Sequence, residues 1–120
     1  MNAPKADITL YHNPRCSKSR EALALLRSHG VEPAVIEYLN TPPDAAELAR
    51  IVALLGIEPQ ALVRKGEDVF KQSYAGKTLD AREWIAALAQ HPILIERPIA
   101  IRGQRAVIGR PPERVLELLV

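Results

Sequence analysis

The sequence is poor in cysteine, in aromatic residues and in charge of one sign. Cys16 is the only cysteine among 120 residues, which excludes an internal disulfide and a cysteine-rich zinc site. Aromatic residues make up 4%, and a net charge of +2 gives no reason to expect nucleic-acid binding. No apolar run reaches the roughly 18 residues that a membrane span needs. The segment Met1 to Asp7 lacks the apolar core of a signal peptide, so we expect a cytoplasmic protein without a membrane partner.

The first third of the chain predicts a strand, a helix and a second strand. An apolar fraction of 48% in a chain of this length is typical of one globular domain, which we place over residues 1–120. Ile8 to Tyr11 is a short β-rich run, and Asn13-Pro14 ends it. A helical pattern runs from Ser17 to His29, and a second strand from Pro33 to Leu39. This order favours a parallel, right-handed βαβ unit.

Helical patterns fill the middle of the chain. Thr41 is the predicted N-cap of the first of these helices, with proline in its first turn. Asp80 begins a later helix, because Glu83 follows it at the spacing of a capping box. Trp84 and Phe70 are predicted core residues. We therefore expect a helical insertion at about residues 41–91.

The last third predicts two strands of a hairpin and a final helix. Short strands are expected at Ile93 to Ile95 and at Ile99 to Ile101, and Ala106 to Ile108 pairs back after a tight turn. Pro111-Pro112 opens the last helix, whose predicted inward residues are Val115, Leu116 and Leu119. The whole order, βαβ, then helices, then ββα, predicts an α/β fold with one mixed sheet.

Cys16 stands at the start of the first predicted helix, directly after the first strand. The unpaired N–H groups of a first helical turn and the helix dipole both stabilise a thiolate over a thiol. Arg15, Lys18 and Arg20 add positive charge, and the Ser19 hydroxyl is a further donor for a bound oxyanion. These neighbours favour a reactive thiol over the other role of a lone cysteine, a small buried apolar residue.

Several known cysteine motifs do not fit this loop. A Cys-x5-Arg phosphatase motif would need arginine where Ala22 stands, and a dithiol motif would need cysteine at Ser19. The remaining Cys-x-x-Ser is compatible with monothiol exchange, in which an outside thiol resolves the mixed disulfide. A metal is not expected, because His12 and Cys16 have no further ligands close in sequence.

Three arginines follow apolar segments far from the cysteine. They are Arg64, Arg97 before Pro98, and Arg110 after the second hairpin strand. An arginine at the end of a strand is most often a solvated surface charge. Their spacing alone does not bring them together.

Ordered blocks of residues along almost the whole chain resemble the glutaredoxin-coupled arsenate reductases. The active-site signature of that family is matched by Tyr11-His12-Asn13-Pro14-x-Cys16-x-x-Ser19-Arg20. The resemblance continues through Tyr38-Leu39-x-x-Pro42-Pro43, Ala61-Leu62-Val63-Arg64-Lys65, His91-Pro92-Ile93-Leu94-Ile95-Glu96-Arg97-Pro98-Ile99 and Gly109-Arg110-Pro111-Pro112-Glu113. The pair Ser17-Lys18 departs from the Gly-Thr pair found in arsenic-resistance enzymes.

The resemblance implies a thioredoxin-like fold with a helical insertion between its halves. It implies that Pro98 is in the cis form and faces the cysteine loop. By the same resemblance, Cys16 is the catalytic cysteine and His12 helps to activate it. The residues that bind the oxyanion are then the arginines Arg64, Arg97 and Arg110.

The implied function is reduction of arsenate to arsenite, an activity of arsenic resistance. Glutathione is the implied co-substrate, glutaredoxin is the implied partner, and no cofactor is bound. Two other functions stay open. One is glutathione-dependent thiol exchange on another substrate. The other is a redox-responsive transcription regulator that binds RNA polymerase, although its Cys-x-x-Cys switch would need cysteine where Ser19 stands.

Overall fold

A computed structural model describes residues 7–120 of the chain. The expectation for the N-terminal segment therefore falls, apart from Asp7, outside the described residues. The described chain divides into two compact units. The first contains the residues up to Thr41 together with Arg97–Val120, and the second is Pro42–Glu96. None of the helices within residues 7–120 is long and apolar enough to cross a membrane.

The first unit contains a four-stranded mixed sheet. Its strands are β1 (Ile8–His12), β2 (Ala34–Glu37), β3 (Ile99–Arg102) and β4 (Arg105–Ile108). The spatial order is β2-β1-β3-β4, with β1 parallel to β2 and antiparallel to β3, and with β3 antiparallel to β4. The predicted βαβ and hairpin connections are therefore confirmed.

Two helices pack against this sheet. Helix α1 spans Ser17–Ser28, and a C-terminal 3-10 helix spans Pro112–Leu119. Apolar side chains of strands and helices share one buried cluster: Ile8, Leu10, Ala22, Leu26, Ala100, Val107, Val115 and Leu118. The strand members alternate along β1, and the α1 members are four residues apart, as one buried face of each element requires. The α/β, thioredoxin-like prediction is confirmed.

The second unit is helical and corresponds to the predicted insertion. It contains α2 (Ala45–Leu55), a 3-10 turn (Pro59–Leu62), α3 (Asp68–Ser73), α4 (Ala81–Gln90) and a second 3-10 turn (Pro92–Leu94). The capping box is confirmed, because Asp80 accepts from the Glu83 backbone N–H at 2.8 Å and Glu83 accepts from that of Asp80 at 3.0 Å. Trp84 is buried, as predicted, and Phe70 is half-buried with its ring stacked on that indole.

Two predictions for the middle of the chain were wrong. Asp44, and not Thr41, caps α2, since the carboxylate of Asp44 accepts from the backbone N–H of Glu47 at 2.8 Å. The segment Ile93 to Ile95 is not a strand. It contains most of the second 3-10 turn, and only Ile95 pairs, in an isolated bridge with Val63.

The C-terminal helix buries a different set of residues from the predicted one. Val115 is buried as expected, but the second fully buried residue is Leu118, while Leu116 and Leu119 are only partly buried. The reason is the 3-10 geometry, in which residues three apart lie on one side of the helix. The prediction assumed the wider spacing of an α-helix.

Candidate active site

The loop between β1 and α1 forms a tight turn that ends at Cys16. Cys16 is the N-cap of α1, in an extended conformation, and its backbone N–H donates to the carbonyl of Asn13 at 3.0 Å. The side-chain oxygen of Asn13 accepts from the backbone N–H of Arg15 at 3.0 Å, as in an Asx turn. The Arg20 guanidinium donates to the carbonyl of Pro14 at 3.0 Å. Four residues of the loop are therefore held by hydrogen bonds.

The Ser19 side chain lies inside this turn. Its hydroxyl accepts from the backbone N–H of Asn13 at 3.0 Å and is hydrogen-bonded to Nδ1 of His12 at 2.6 Å. Ser19 is 0% exposed. The hydroxyl therefore has two protein partners, and it is the backbone N–H of Ser19 that acts on the cysteine, by lowering the pKa of its thiol. Binding of substrate by Ser19 stays a prediction.

The environment of Cys16 favours its thiolate. Partial burial acts to raise the pKa of the thiol. The backbone N–H groups of Ser19 and Lys18 lower it, as expected at a helix N-terminus, although the thiol makes no capping hydrogen bond of ordinary geometry. The positive charges of Arg110 and Arg97 lower it further, and the pKa lies below its ordinary value. A larger share of Cys16 is therefore nucleophilic at neutral pH than of a free cysteine.

Of the three candidate arginines, Arg110 lies beside this sulfur, and the charge of Arg97 also acts on it. The Arg110 Nη2 is 3.6 Å from Cys16 Sγ, and its Nε donates to the carbonyl of Arg97 at 2.8 Å. The backbone between the arginines is closely packed: the Gly109 N–H donates to the Pro98 carbonyl at 2.8 Å, and a Cβ at Gly109 would meet Pro98 Cγ at 2.7 Å. Glycine is therefore required where the chain turns from β4 toward Arg110.

The peptide bond between Arg97 and Pro98 is cis, as the resemblance implied. The bond between Arg110 and Pro111 is also cis, which the sequence did not indicate. Arg97 is 5% exposed and lies two residues before the start of β3.

The third candidate, Arg64, belongs to the second unit. It forms ion pairs with Glu67 at 3.3 Å and with Glu96 at 3.6 Å, both within that unit. Cys16, Arg97 and Arg110 belong to the first unit. The part of Arg64 in an oxyanion site therefore stays a prediction.

His12 is buried, and its surroundings disfavour the charged form of its imidazole. Burial lowers the pKa of its imidazole below the ordinary value, Glu37 opposes this, and the charges of Arg27 and Arg20 add to the lowering. Its hydrogen bond is with Ser19. Activation of Cys16 by His12 stays a prediction.

Sequence reasoning gave Asn13 no role beyond the end of a strand. The structure shows that its backbone and side chain together hold three groups of the loop. The signal was present, because Asn before proline is a common start of a turn in which the side chain accepts a backbone N–H. Within residues 7–120, no three His, Cys, Asp or Glu side chains are grouped as they would be around a metal ion.

Comparison with known proteins identifies the family. The family model described as "ArsC family" matches residues 11–118. The chain is 48% identical to the solved structure of an arsenate reductase from Vibrio cholerae, with a TM-score of 0.89, covering 92% of this chain and 96% of that one. It is 47% identical to the uncharacterized protein YfgD of Escherichia coli K12, covering 93% of this chain and 96% of that protein.

An arsenate reductase of Haemophilus influenzae is 43% identical over 114 residues, covering 93% of this chain and 98% of that enzyme. The matched residues 11–118 begin in the cysteine signature and end in the C-terminal helix, so they span both units. The resemblance drawn from the signature is confirmed, and this chain belongs to the ArsC family.

Proposed function

We propose that this protein is an arsenate reductase that converts arsenate to arsenite with glutathione and glutaredoxin. The observation that carries the proposal is the position of Cys16, whose sulfur lies at the N-terminus of α1 and 3.6 Å from the Arg110 guanidinium. The activity also agrees with the names of the relatives, of which several are arsenate reductases.

The arginines supply the binding energy for the substrate. Arsenate near neutral pH is a tetrahedral dianion, and a guanidinium offers paired donors that match its oxygens. Arg97 and Arg110 carry charges that also lower the pKa of Cys16. The same two charges would therefore reduce the repulsion between an anionic nucleophile and an anionic substrate. Arg64 is proposed as a third ligand by its match to the family motif.

The first chemical step is attack of the Cys16 thiolate on arsenic. A sulfur–arsenic bond forms, and one arsenate oxygen, after protonation, leaves as water. The arsenic is still As(V) in this adduct. Backbone N–H groups in the first turn of α1 are available to the developing negative charge on the remaining oxygens.

Reduction to As(III) requires two thiol sulfurs, and the chain contains one. Glutathione is proposed to supply the second by attacking the adduct. Two thiols lose one electron each and end as a disulfide, while arsenic gains the pair. The overall balance is one arsenate and two thiols giving one arsenite, one disulfide and one water. Glutaredoxin then returns the mixed species to thiols. This chemistry requires the reducing conditions of the cytoplasm, which we propose as the location.

The test is the formation of arsenite from arsenate, measured by separating the two arsenic species. The complete mixture contains the protein, glutathione, glutaredoxin, glutathione reductase and NADPH. We expect arsenite in this mixture and a loss to background when the protein, glutathione or glutaredoxin is omitted. Arsenite formation that does not change when glutaredoxin is omitted would overturn the proposed coupling.

A different result would support the thiol-exchange alternative. If arsenite does not form, but the protein reduces a mixed disulfide between glutathione and a small thiol, the substrate is not arsenate. What favours the reductase is the Arg110 guanidinium 3.6 Å from the sulfur, because its paired donors match the oxygens of a tetrahedral oxyanion and a disulfide has none.

A further inference from the structure

We propose that Ser19 is a positioning residue, which sets the reactivity of Cys16 by holding His12 and Asn13 through its buried hydroxyl. The inference deepens the proposed function, since the thiolate concerned is the proposed nucleophile. It gives Ser19 a role different from contact with the substrate, and it lets His12 act on Cys16 through its hydrogen bond to Ser19.

The geometry carries this inference. The Ser19 hydroxyl accepts from the backbone N–H of Asn13 at 3.0 Å and is hydrogen-bonded to His12 Nδ1 at 2.6 Å. The three residues are 0%, 4% and 6% exposed for Ser19, Asn13 and His12, so water does not replace a lost partner. A buried donor that loses its partner is destabilised, which makes rearrangement of the turn favourable once the hydroxyl is absent.

The turn held in this way determines where Cys16 lies. The Asn13 carbonyl accepts from the Cys16 backbone N–H at 3.0 Å, so the residue fixed by Ser19 also fixes the N-cap of α1. Ser19 is itself in the first turn of α1, and its own backbone N–H lowers the pKa of the sulfur. Loss of the Ser19 hydroxyl therefore frees the turn at Asn13. The Cys16 sulfur can then move away from the backbone N–H groups that lower its pKa.

His12 joins this hydrogen-bonded network from the end of β1. It is the last residue of β1 and pairs with Glu37 of β2, so its backbone is fixed by the sheet. Its hydrogen bond to Ser19 connects the end of the strand with the first turn of the helix. Removing the imidazole is therefore expected to affect Cys16 only while the Ser19 hydroxyl is present.

The experiment compares Ser19→Ala with Ser17→Ala. Both replace a serine in the first turn of α1, but Ser17 is exposed. The readout is the pH dependence of alkylation by iodoacetamide, which reports on Cys16 alone because the chain has one cysteine. Neither arsenate nor glutathione is present. Failure of the reductase assay therefore leaves this result intact, and failure here leaves that assay intact.

We expect the alkylation midpoint of Ser19→Ala to rise toward the free-thiol value of about 8.5. At a pH well below both midpoints, a rise of about one pH unit lowers the alkylation rate about tenfold. The limiting rate at high pH, where every thiol is ionised, stays close to that of the native protein. Ser17→Ala is expected to keep the native midpoint. Ser19→Ala that folds cooperatively and keeps the native midpoint would show that the hydroxyl only supports folding.

The variant His12→Ala keeps the proposal testable if Ser19→Ala does not fold. Its midpoint is expected to rise, and an unchanged midpoint would contradict the proposal. Where both single variants fold, the double variant should show the midpoint of Ser19→Ala, because contacting residues in one network are not additive. Additive shifts would mean that His12 acts on the sulfur by a separate route.

Discussion

Replacing Cys16 with serine is expected to abolish arsenate reduction and alkylation together. The serine hydroxyl fits the same N-cap position, and serine is a favoured N-cap residue, so the fold of α1 is kept. The hydroxyl stays protonated at neutral pH and does not form the sulfur–arsenic bond. Arsenite formation should fall to the level without protein, and iodoacetamide should give no mass increase of the intact chain.

A displaced thiol provides the matched control for this variant. Ser17→Cys in the Cys16→Ser background moves the single thiol by one residue, from the N-cap to the exposed first residue of the helix. We expect this chain to be alkylated, with a midpoint above that of Cys16 in the native protein, but to form no arsenite. Residual reduction by Cys16→Ser itself would remove Cys16 from the role of nucleophile.

Replacing Arg97 or Arg110, whose charges both act on the sulfur, is expected to weaken oxyanion binding about ten- to a hundredfold. The range follows from the roughly 1.5–3 kcal/mol of a hydrogen bond to a charged group. Binding of arsenate to Arg97→Ala and Arg110→Ala is measured by calorimetry in the Cys16→Ser background, where no adduct forms. In the native background, both variants should also raise the alkylation midpoint, because both charges lower the pKa of the thiol.

Two further variants separate charge from geometry. Arg97→Lys keeps the charge but loses the paired donors of the guanidinium, so its affinity should lie between those of native protein and Arg97→Ala. Arg114→Ala removes an exposed arginine whose partner is Glu117, and it should bind arsenate as the native protein does. An unchanged affinity in Arg97→Ala would take Arg97 out of the site.

The sequence predicted the helices and strands whose ends are set by motifs of a few neighbouring residues. The pattern Asp80-Ala-Arg-Glu83 specifies a capping box without any tertiary contact, and the helix begins where this motif predicts. The hairpin of β3 and β4 was predicted in the same way, from the tight turn at Arg102 to Arg105. In the structure, Gly103 in this two-residue turn has a φ of +60°. Such signals lie within a few neighbouring residues.

The errors arose where tertiary contacts decide between local alternatives. The apolar run Ile93 to Ile95 has the composition of a strand, but Pro92 starts a 3-10 turn and only Ile95 is paired. Pro42 and Pro43 suggested a first helical turn, but the Asp44 carboxylate has the geometry to cap α2 and Thr41 does not begin it. Composition alone cannot decide either case.

The sequence identified the residues of the active site better than it predicted their positions in space. Cys16 and Arg110 are 94 positions apart, and only the pairing of β1 with β3 and of β3 with β4 brings them to 3.6 Å. The family resemblance provided that pair, whereas spacing did not. The bond between Ser19 and His12 could not be read from the sequence, because it depends on how a helix turn meets the end of a strand.

The measurement that tests the central claim most directly is protection of Cys16 by arsenate. The claim is that a reactive thiolate lies within an arginine-lined oxyanion site. In the absence of glutathione, the iodoacetamide rate of the native protein should fall with arsenate concentration and reach a plateau. Phosphate should protect in the same way, because it has the same shape and charge, and Arg97→Ala should need about ten- to a hundredfold more of either anion. An alkylation rate that is independent of arsenate, or equal protection of Arg97→Ala, would contradict the account.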